Sequence, residues 1–324
     1  LVAPEKRSPS TIAVQYRDFL ADVLQSAERW GPHNPAVVRR IELGTERYLL
    51  RPARELEASG MPAEELEAHR REVRDALRPI WARGPFGYEI THWPAGPGSA
   101  RAMELVYNNN PPPHNVQGHY TDWYLLTRDL GHAVRSRRDT LRDFILAELN
   151  AKPEADSVLD LACGPMQSLR EALPFLHEPK RLRLTALDTD ELAQINNRAF
   201  FRRDHSLPWD LEVANVLETD FGVGKQDLVY STGLYDYLPS PILARLWKRV
   251  YASLKPGGVA VLSVKDGAKF CPLIYRWLVD WSQFFIRTEA DFEGIMKSAK
   301  LPAPESVLRD ATGCIIFYMI RKPA

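Results

Sequence analysis

Two acidic residues and a glycine at a fixed spacing are the strongest chemical signal in this 324-residue chain. The run Val158-Leu-Asp-Leu-Ala-Cys-Gly-Pro165 reads as a buried strand entering a tight Asp-x-x-x-Gly turn that opens a helix. Glycine at such a turn lets a ligand approach the backbone closely, because no Cβ stands in the way. Asp188 follows 24 positions after Gly164, at the tip of the next predicted strand in Leu184-Thr-Ala-Leu-Asp-Thr-Asp190. An acid about 20 residues beyond the turn can accept both hydroxyls of a ribose. Asp190 suits the N-cap of the helix that follows. A further run, Gln226-Asp-Leu-Val-Tyr-Ser-Thr-Gly-Leu-Tyr-Asp-Tyr-Leu-Pro239, sets Ser231, Tyr235 and Tyr237 at and beyond another strand end. Tyrosine ring faces and hydroxyls there can meet a cation, or one ring can pack beneath the next helix.

Other reactive side chains make a weaker pattern. His92, His114, His119 and His132 show no His-x-x-x-His pair backed by a carboxylate, so no metal is expected. Cys163, Cys271 and Cys314 lie far apart, without metal or redox spacing, and Cys163 reads as packing. Arg135, Arg137, Arg138 and Arg142 read as a solvated helix face, with the alternative that one of them, Arg137, forks onto a substrate carboxylate.

The elements that position these residues differ between the two halves. Residues 10–83 have helical periodicity, with predicted helices at Thr11–Trp30, Pro35–Ser59 and from Pro62 to Arg83. Gly84–His119 is rich in Gly, Pro, Asn and aromatics, including Trp93–Gly98 and Tyr107-Asn-Asn-Asn-Pro-Pro-Pro113, and is expected to be an irregular functional loop. Helices at Tyr120–Asp129 and Val134–Asn150 follow. From Ser157 apolar strands alternate with helices, as in a mostly parallel sheet covered on both faces. The strands are Val158–Ala162, Leu182–Leu187, Leu211–Ala214, Asp227–Ser231 and Val259–Val264. Helices are expected at Met166–Leu173, Asp190–Arg202, Pro241–Leu254 and across Phe270–Ala299. Ser306–Arg309 and Cys314–Arg321 close the chain as an antiparallel hairpin.

Five alternating units followed by a hairpin resemble the Rossmann-like core of the class I S-adenosylmethionine (SAM)-dependent methyltransferases. The expected fold is α/β: that core at residues 151–324, preceded by an N-terminal helical lid and substrate domain at 1–150. In this family the glycine turn receives the amino-acid end of SAM, and Pro165 in place of a usual glycine makes a dinucleotide a poorer fit. The resemblance implies a cofactor site of Asp160, Ala162, Cys163, Gly164, Asp188, Asn215, Val216 and Ser231. Asn215 and Val216 follow the third strand, where such enzymes line the adenine. Tyr230–Leu238 also resembles the Tyr-Ser-Ala-Gly-Leu-Phe-Asp-Tyr-Leu segment of a bacterial methyltransferase group. That group includes enzymes making 3-hydroxy fatty acid methyl ester signals, and Trp277–Glu289 is similar to its tryptophan-rich segment.

Lys plus Arg equals Asp plus Glu at 42 each, which leaves no net field to attract nucleic acid or anionic lipid. No apolar run reaches the roughly 18 residues that a membrane span needs. The cysteine usage fits a reducing cytoplasm. The start lacks a signal-peptide core and an initiator Met, so a trimmed N-terminus is expected. The leading expectation is methyl transfer from SAM to a small molecule such as a carboxylate or amine. Tyr107 and Tyr235 are its candidate catalytic residues, and Asn108, Asn109, Tyr120, Arg137 and Tyr237 its candidate substrate contacts. A second reading keeps the fold and has SAM's own amino group attack its γ-carbon, releasing methylthioadenosine and azetidine-2-carboxylate. A third is a SAM-binding module without turnover. Oligomeric state is not legible.

Overall fold

The computed structural model describes residues 9–92, 98–204, 208–280 and 284–324. In chain order the helices are α1 (Pro9–Ala27), α2 (Pro35–Thr45), α3 (Arg51–Glu57), α4 (Ala63–Trp81), α5 (Pro85–His92), α6 (Ala100–Asn108), α7 (Val116–Leu126), α8 (Asp129–Ala151), α9 (Gln167–Ala172), α10 (Glu191–Asp204), α11 (Ser240–Ser253), α12 (Pro272–Trp277) and α13 (Glu289–Ser298). The strands are β1 (Ser157–Leu161), β2 (Arg183–Asp188), β3 (Trp209–Val213), β4 (Gln226–Ser231), β5 (Leu254–Lys265), β6 (Ser306–Arg309) and β7 (Ile315–Arg321). The chain divides into two compact units, Leu1–Gly131 with Cys271–Ser282, and His132–Phe270 with Gln283–Ala324. The division differs from a single cut near residue 150. Most of α8 belongs with the sheet, and the short α12 belongs with the N-terminal helices.

The first unit is helical because its apolar residues recur at helical spacing. Ile12, Tyr16, Leu20, Val23, Leu24 and Ala27 make one buried stripe on α1. They share a core with Val37 and Ile41 of α2, Val73 and Leu77 of α4, and Trp277 of α12. The expected helix over 35–59 is interrupted by a π-helical turn at Glu46–Leu50, which separates α2 from α3. The irregular loop expected over 84–119 is corrected: it holds α5, α6 and the start of α7. Its polar and glycine-rich residues are helix punctuation. Asp122 accepts the Phe86 and Gly87 N–H groups at 2.9 and 2.8 Å at the start of α5. Ser99 caps α6, Asn109 ends it in the left-handed conformation, and Asn115 caps α7. Trp93–Pro97 lies outside the described residues.

The second unit is built on a seven-stranded sheet in the order β3-β2-β1-β4-β5-β7-β6. Strands β1 to β5 run parallel, while β7 runs antiparallel to β5 and β6 antiparallel to β7. This is the expected Rossmann-like methyltransferase core with its closing hairpin. β1 is buried along its whole length, as a central strand covered on both faces must be. On one face Leu159, Leu161, Val229, Leu262 and Ile316 pack with Leu243 and Trp247 of α11 and Phe292 of α13. The continuous helix expected over 270–299 is also corrected. α12 ends at Trp277, and α13 starts afresh at a Thr288–Asp291 capping box. Trp281, Ser282 and Gln283 of the tryptophan-rich segment lie outside the described residues. Among the described residues no helix is long and apolar enough to cross a membrane.

Candidate functional site

The site lies at the carboxyl edge of β1, β2 and β4, the end of an open parallel sheet where ligands bind as a rule. Beyond β1 the backbone turns through left-handed conformations at alternate residues, with φ of 51° at Ala162, 50° at Gly164 and 53° at Met166. Two of the three are not glycine, and each such residue stores roughly 1–2 kcal/mol of backbone strain. The turn is held by its neighbours. The Cys163 N–H donates to the Leu187 carbonyl at 3.1 Å, and Asn197 of α10 donates to the Gly164 carbonyl at 2.9 Å. Asn197 is in turn fixed by Arg170 at 2.7 Å. α9 begins at Gln167 with Met166 as its cap residue, so Pro165 precedes the helix instead of occupying its first turn.

Gly164 is the open point of this turn. A Cβ built there meets no atom within 4 Å, so the backbone faces free space. Its N–H donates to Asp188 Oδ2 at 2.7 Å, and the Asp190 N–H donates to Asp188 Oδ1 at 2.8 Å. Burial pushes the Asp188 carboxyl above its ordinary value, against these backbone donors. A carboxylate has about four acceptor positions, so each oxygen keeps capacity for a ligand hydroxyl. Asp190 caps α10 through the Leu192 and Ala193 N–H groups.

Buried polar atoms without partners gather at the same sheet edge. Asp160 stands opposite Tyr230 in the β1–β4 register. Asp160 Oδ1, Tyr230 OH and Ser231 Oγ are enclosed and have no hydrogen-bond partner among the described residues. Desolvation drives the Asp160 carboxyl well above the carboxylate range. The neighbouring Tyr230 hydroxyl pulls the other way, and a cationic group beside the carboxyl would further favour its charge. Open space at Gly164, acceptor capacity at Asp188 and a buried acid at Asp160 fit a ligand with a ribose at one end and an ammonium at the other.

Other candidates fall elsewhere. Cys163 is buried, with its thiol pushed up by desolvation, which suits packing and not nucleophilic attack. Asn215 spends its side chain on a local turn, accepting from Leu217 N and donating to Glu218, both at 3.0 Å. Val216 sits in the hydrophobic core, so its side chain is not an exposed wall for a ring. Tyr235 is fully buried and packs edge-on against Trp247 at 5.6 Å, the packing alternative. Tyr237 is half-buried and meets Phe284 edge-on at 6.0 Å. In the first unit Tyr107 is half-buried in the last turn of α6, Asn108 is exposed, and Asn109 is the stop of that helix. Tyr120 is fully buried, donating to the Gly31 carbonyl at 2.7 Å and accepting the Asn34 N–H at 2.8 Å. It ties α7 to the loop between α1 and α2.

Sequence reasoning missed a buried ion pair. Lys265 Nζ at the end of β5 lies 2.6 Å from Asp236 Oδ2, with the two side chains 4% and 1% exposed. Asp236 also accepts the Lys265 N–H at 3.1 Å. A lysine closing the apolar run Val259–Val264 was the available signal. Arg137, 3% exposed, and Arg287, 6% exposed, are further buried cations of this unit, and Arg287 donates to the Tyr235 and Leu238 carbonyls.

The Methyltransferase domain family matches residues 158–258, the stretch that carries the glycine turn, Asp188 and the end of β4. No curated protein matches the chain. A possible exported protein from Bordetella parapertussis is 18% identical over the whole of both chains, with a TM-score of 0.59. A SAM-dependent methyltransferase from Clostridium acetobutylicum is 17% identical over 57% of this chain and 91% of its own, with a TM-score of 0.44. The 1,6-didemethyltoxoflavin-N1-methyltransferase of Burkholderia thailandensis, solved with S-adenosylhomocysteine, is 18% identical over 62% and 86%, with a TM-score of 0.43. The sheet order is that of a Rossmann-like methyltransferase fold, and within the second unit residues 158–258 match the Methyltransferase domain family.

Proposed function

We propose that the chain is an enzyme that binds SAM at the carboxyl edge of β1 and β2 and transfers its methyl group to a small molecule, a carboxylate or an amine. The carrying observation is the free space at Gly164, joined by a hydrogen bond to an acid with acceptor capacity to spare. Gly164 would admit the ligand to the backbone, Asp188 would take the ribose hydroxyls, and Asp160 would face the amino group. Bound SAM supplies an activated methyl group, so the protein's part is alignment and exclusion of water. A carboxylate acceptor would need no base, only a cation to hold it. An amine would need a group to take its proton, and Asp236 is already committed to Lys265. The narrower likeness of Tyr230–Leu238 to the methyl ester-forming group is consistent with a small-molecule acceptor.

Incubation with SAM and a panel of small carboxylic acids and amines, followed by mass spectrometry of the nucleoside, tests the reading. S-adenosylhomocysteine with a methylated acceptor is expected. Methylthioadenosine from SAM alone would turn the assignment to intramolecular cyclisation. Binding without any turnover would leave a SAM-holding module.

A further inference from the structure

The four arginines of α8 are not equivalent. Arg138 and Arg142 are paired with Asp139, Asp143 and Glu171. Arg137 instead lies on the buried stripe of the helix, between Val134 and Leu141, and is 3% exposed. Its Nε is enclosed without a partner, and among the described residues the side chain has neither a hydrogen bond nor an ion pair. A guanidinium stays charged under all ordinary conditions and offers five donors, so its burial without an anion is strongly unfavourable. Lys265 is near enough for the charge of Arg137 to help lower its pKa, after burial itself. Asp236 is bonded to Lys265 and makes no ion pair with Arg137, whose fork is left unused among the described residues.

Beside that fork stands a glycine. Gly233, beyond the end of β4, has φ +146°, and a Cβ there would stand 3.2 Å from Arg137 NH1. A side chain at 233 would be strained in the backbone and would crowd the guanidinium. Glycine leaves the approach clear, three residues past Tyr230, which faces Asp160 in the sheet. Stability alone would favour an apolar residue at 137, since replacing buried charge by hydrophobic side chains is often neutral or stabilising.

We propose that Arg137 is a carboxylate-binding residue, whose planar fork receives the carboxylate of a ligand bound at the end of β4. This rests on the SAM-dependent reading and deepens it. The shared chemistry is a carboxylate, and two sources fit: the methionyl end of SAM, or the acceptor. In the first case Arg137 and Asp160 together read the two charges of an α-amino acid. In the second Arg137 selects acids over their esters and amides.

The test compares wild type with Arg137→Met and Arg137→Lys in calorimetric titrations and thermal melts. One arm titrates S-adenosylhomocysteine and methylthioadenosine, which lacks the amino acid. The other titrates benzoate and octanoate, with octanamide as control, onto protein saturated with S-adenosylhomocysteine. The cofactor source predicts that Arg137→Met weakens S-adenosylhomocysteine at least tenfold and leaves methylthioadenosine unchanged. The acceptor source predicts unchanged S-adenosylhomocysteine and a loss of at least tenfold for the acids. In both, the ligand-free melting temperature of Arg137→Met stays level or rises, and Arg137→Lys recovers part of the binding. Wild-type affinities in both arms for Arg137→Met would overturn the inference, whatever happens to the melt. Failure of wild type itself to bind S-adenosylhomocysteine would instead overturn the SAM-dependent reading beneath it.

Discussion

Replacing Gly164 by alanine separates the role of the turn in holding the fold from its role in holding a ligand. At φ +50° an L-residue pays roughly 1–2 kcal/mol of backbone strain. Loss of unfolded-state freedom returns about 0.4–1 kcal/mol of that. No atom lies within 4 Å of the added Cβ, so no clash contributes. The net cost is about 1 kcal/mol, equivalent to a fall of about 2–4 °C in melting temperature for a domain of this size. Ligand binding should suffer more. A methyl group forced into a filled contact costs about 1–3 kcal/mol, which is roughly a 5- to 150-fold loss of affinity. Gly313→Ala is the control, with φ +74° and likewise nothing within 4 Å, in the turn between β6 and β7. It should show the same small fall in stability and no change in affinity. The assay is titration with S-adenosylhomocysteine beside thermal melting of both variants. If Gly164→Ala melts like Gly313→Ala and binds like wild type, the space beside Gly164 is not a ligand cradle.

Asp188→Asn keeps the shape but removes the charge and one acceptor. It should weaken S-adenosylhomocysteine and methylthioadenosine alike, by about 1.5–3 kcal/mol, since both carry the ribose; equal binding by calorimetry would remove Asp188 from the site. Asp236→Asn strands Lys265 beside Arg137 and should cost about 3–5 kcal/mol in chemical denaturation. Adding Lys265→Met should restore much of that loss, and an undiminished midpoint in the single variant would refute the buried pair. Burial raises the Asp122 carboxyl from 3.8 to about 6, so the folded state binds more protons than the unfolded one between those values. Stability from this group is therefore present at low pH and lost as pH rises through about 4 to 6, by about 2–3 kcal/mol. Relative to Asp122→Asn, wild type should gain stability from pH 7 to pH 5; a pH-independent difference between them in denaturant melts would contradict the assignment.

The sheet was legible because its signals are local and redundant. Each strand is a short apolar run bounded by turn residues, and the mostly parallel sheet follows from the alternation of strands with helical segments. The first helices were legible for the same reason, through the stripe on α1 and the acidic first turn of α4. Errors came where one residue type serves two ends. Ser99, Asn109 and Asn115 are caps of short helices, yet in a row of Asn, Pro and Gly they read as a loop. The left-handed conformations at Ala162 and Met166 leave no trace in residue type, because packing and the Asn197 contacts impose them. Tyr120 was read as an aromatic contact and Val216 by its position after a strand, and only packing shows that the first holds the α1–α2 loop and the second lies in the core. Arg137 carried a usable signal that the charge run concealed. It falls in step with the apolar residues of α8 and out of step with its paired neighbours.

The most direct test is a crystal of the full chain grown with S-adenosylhomocysteine. The account predicts adenosine density at the carboxyl edge of β1 and β2, its ribose hydroxyls on Asp188 and its backbone contact at Gly164. Density for the nucleoside anywhere else on the chain, or side chains closed over that turn at saturating ligand, would contradict it.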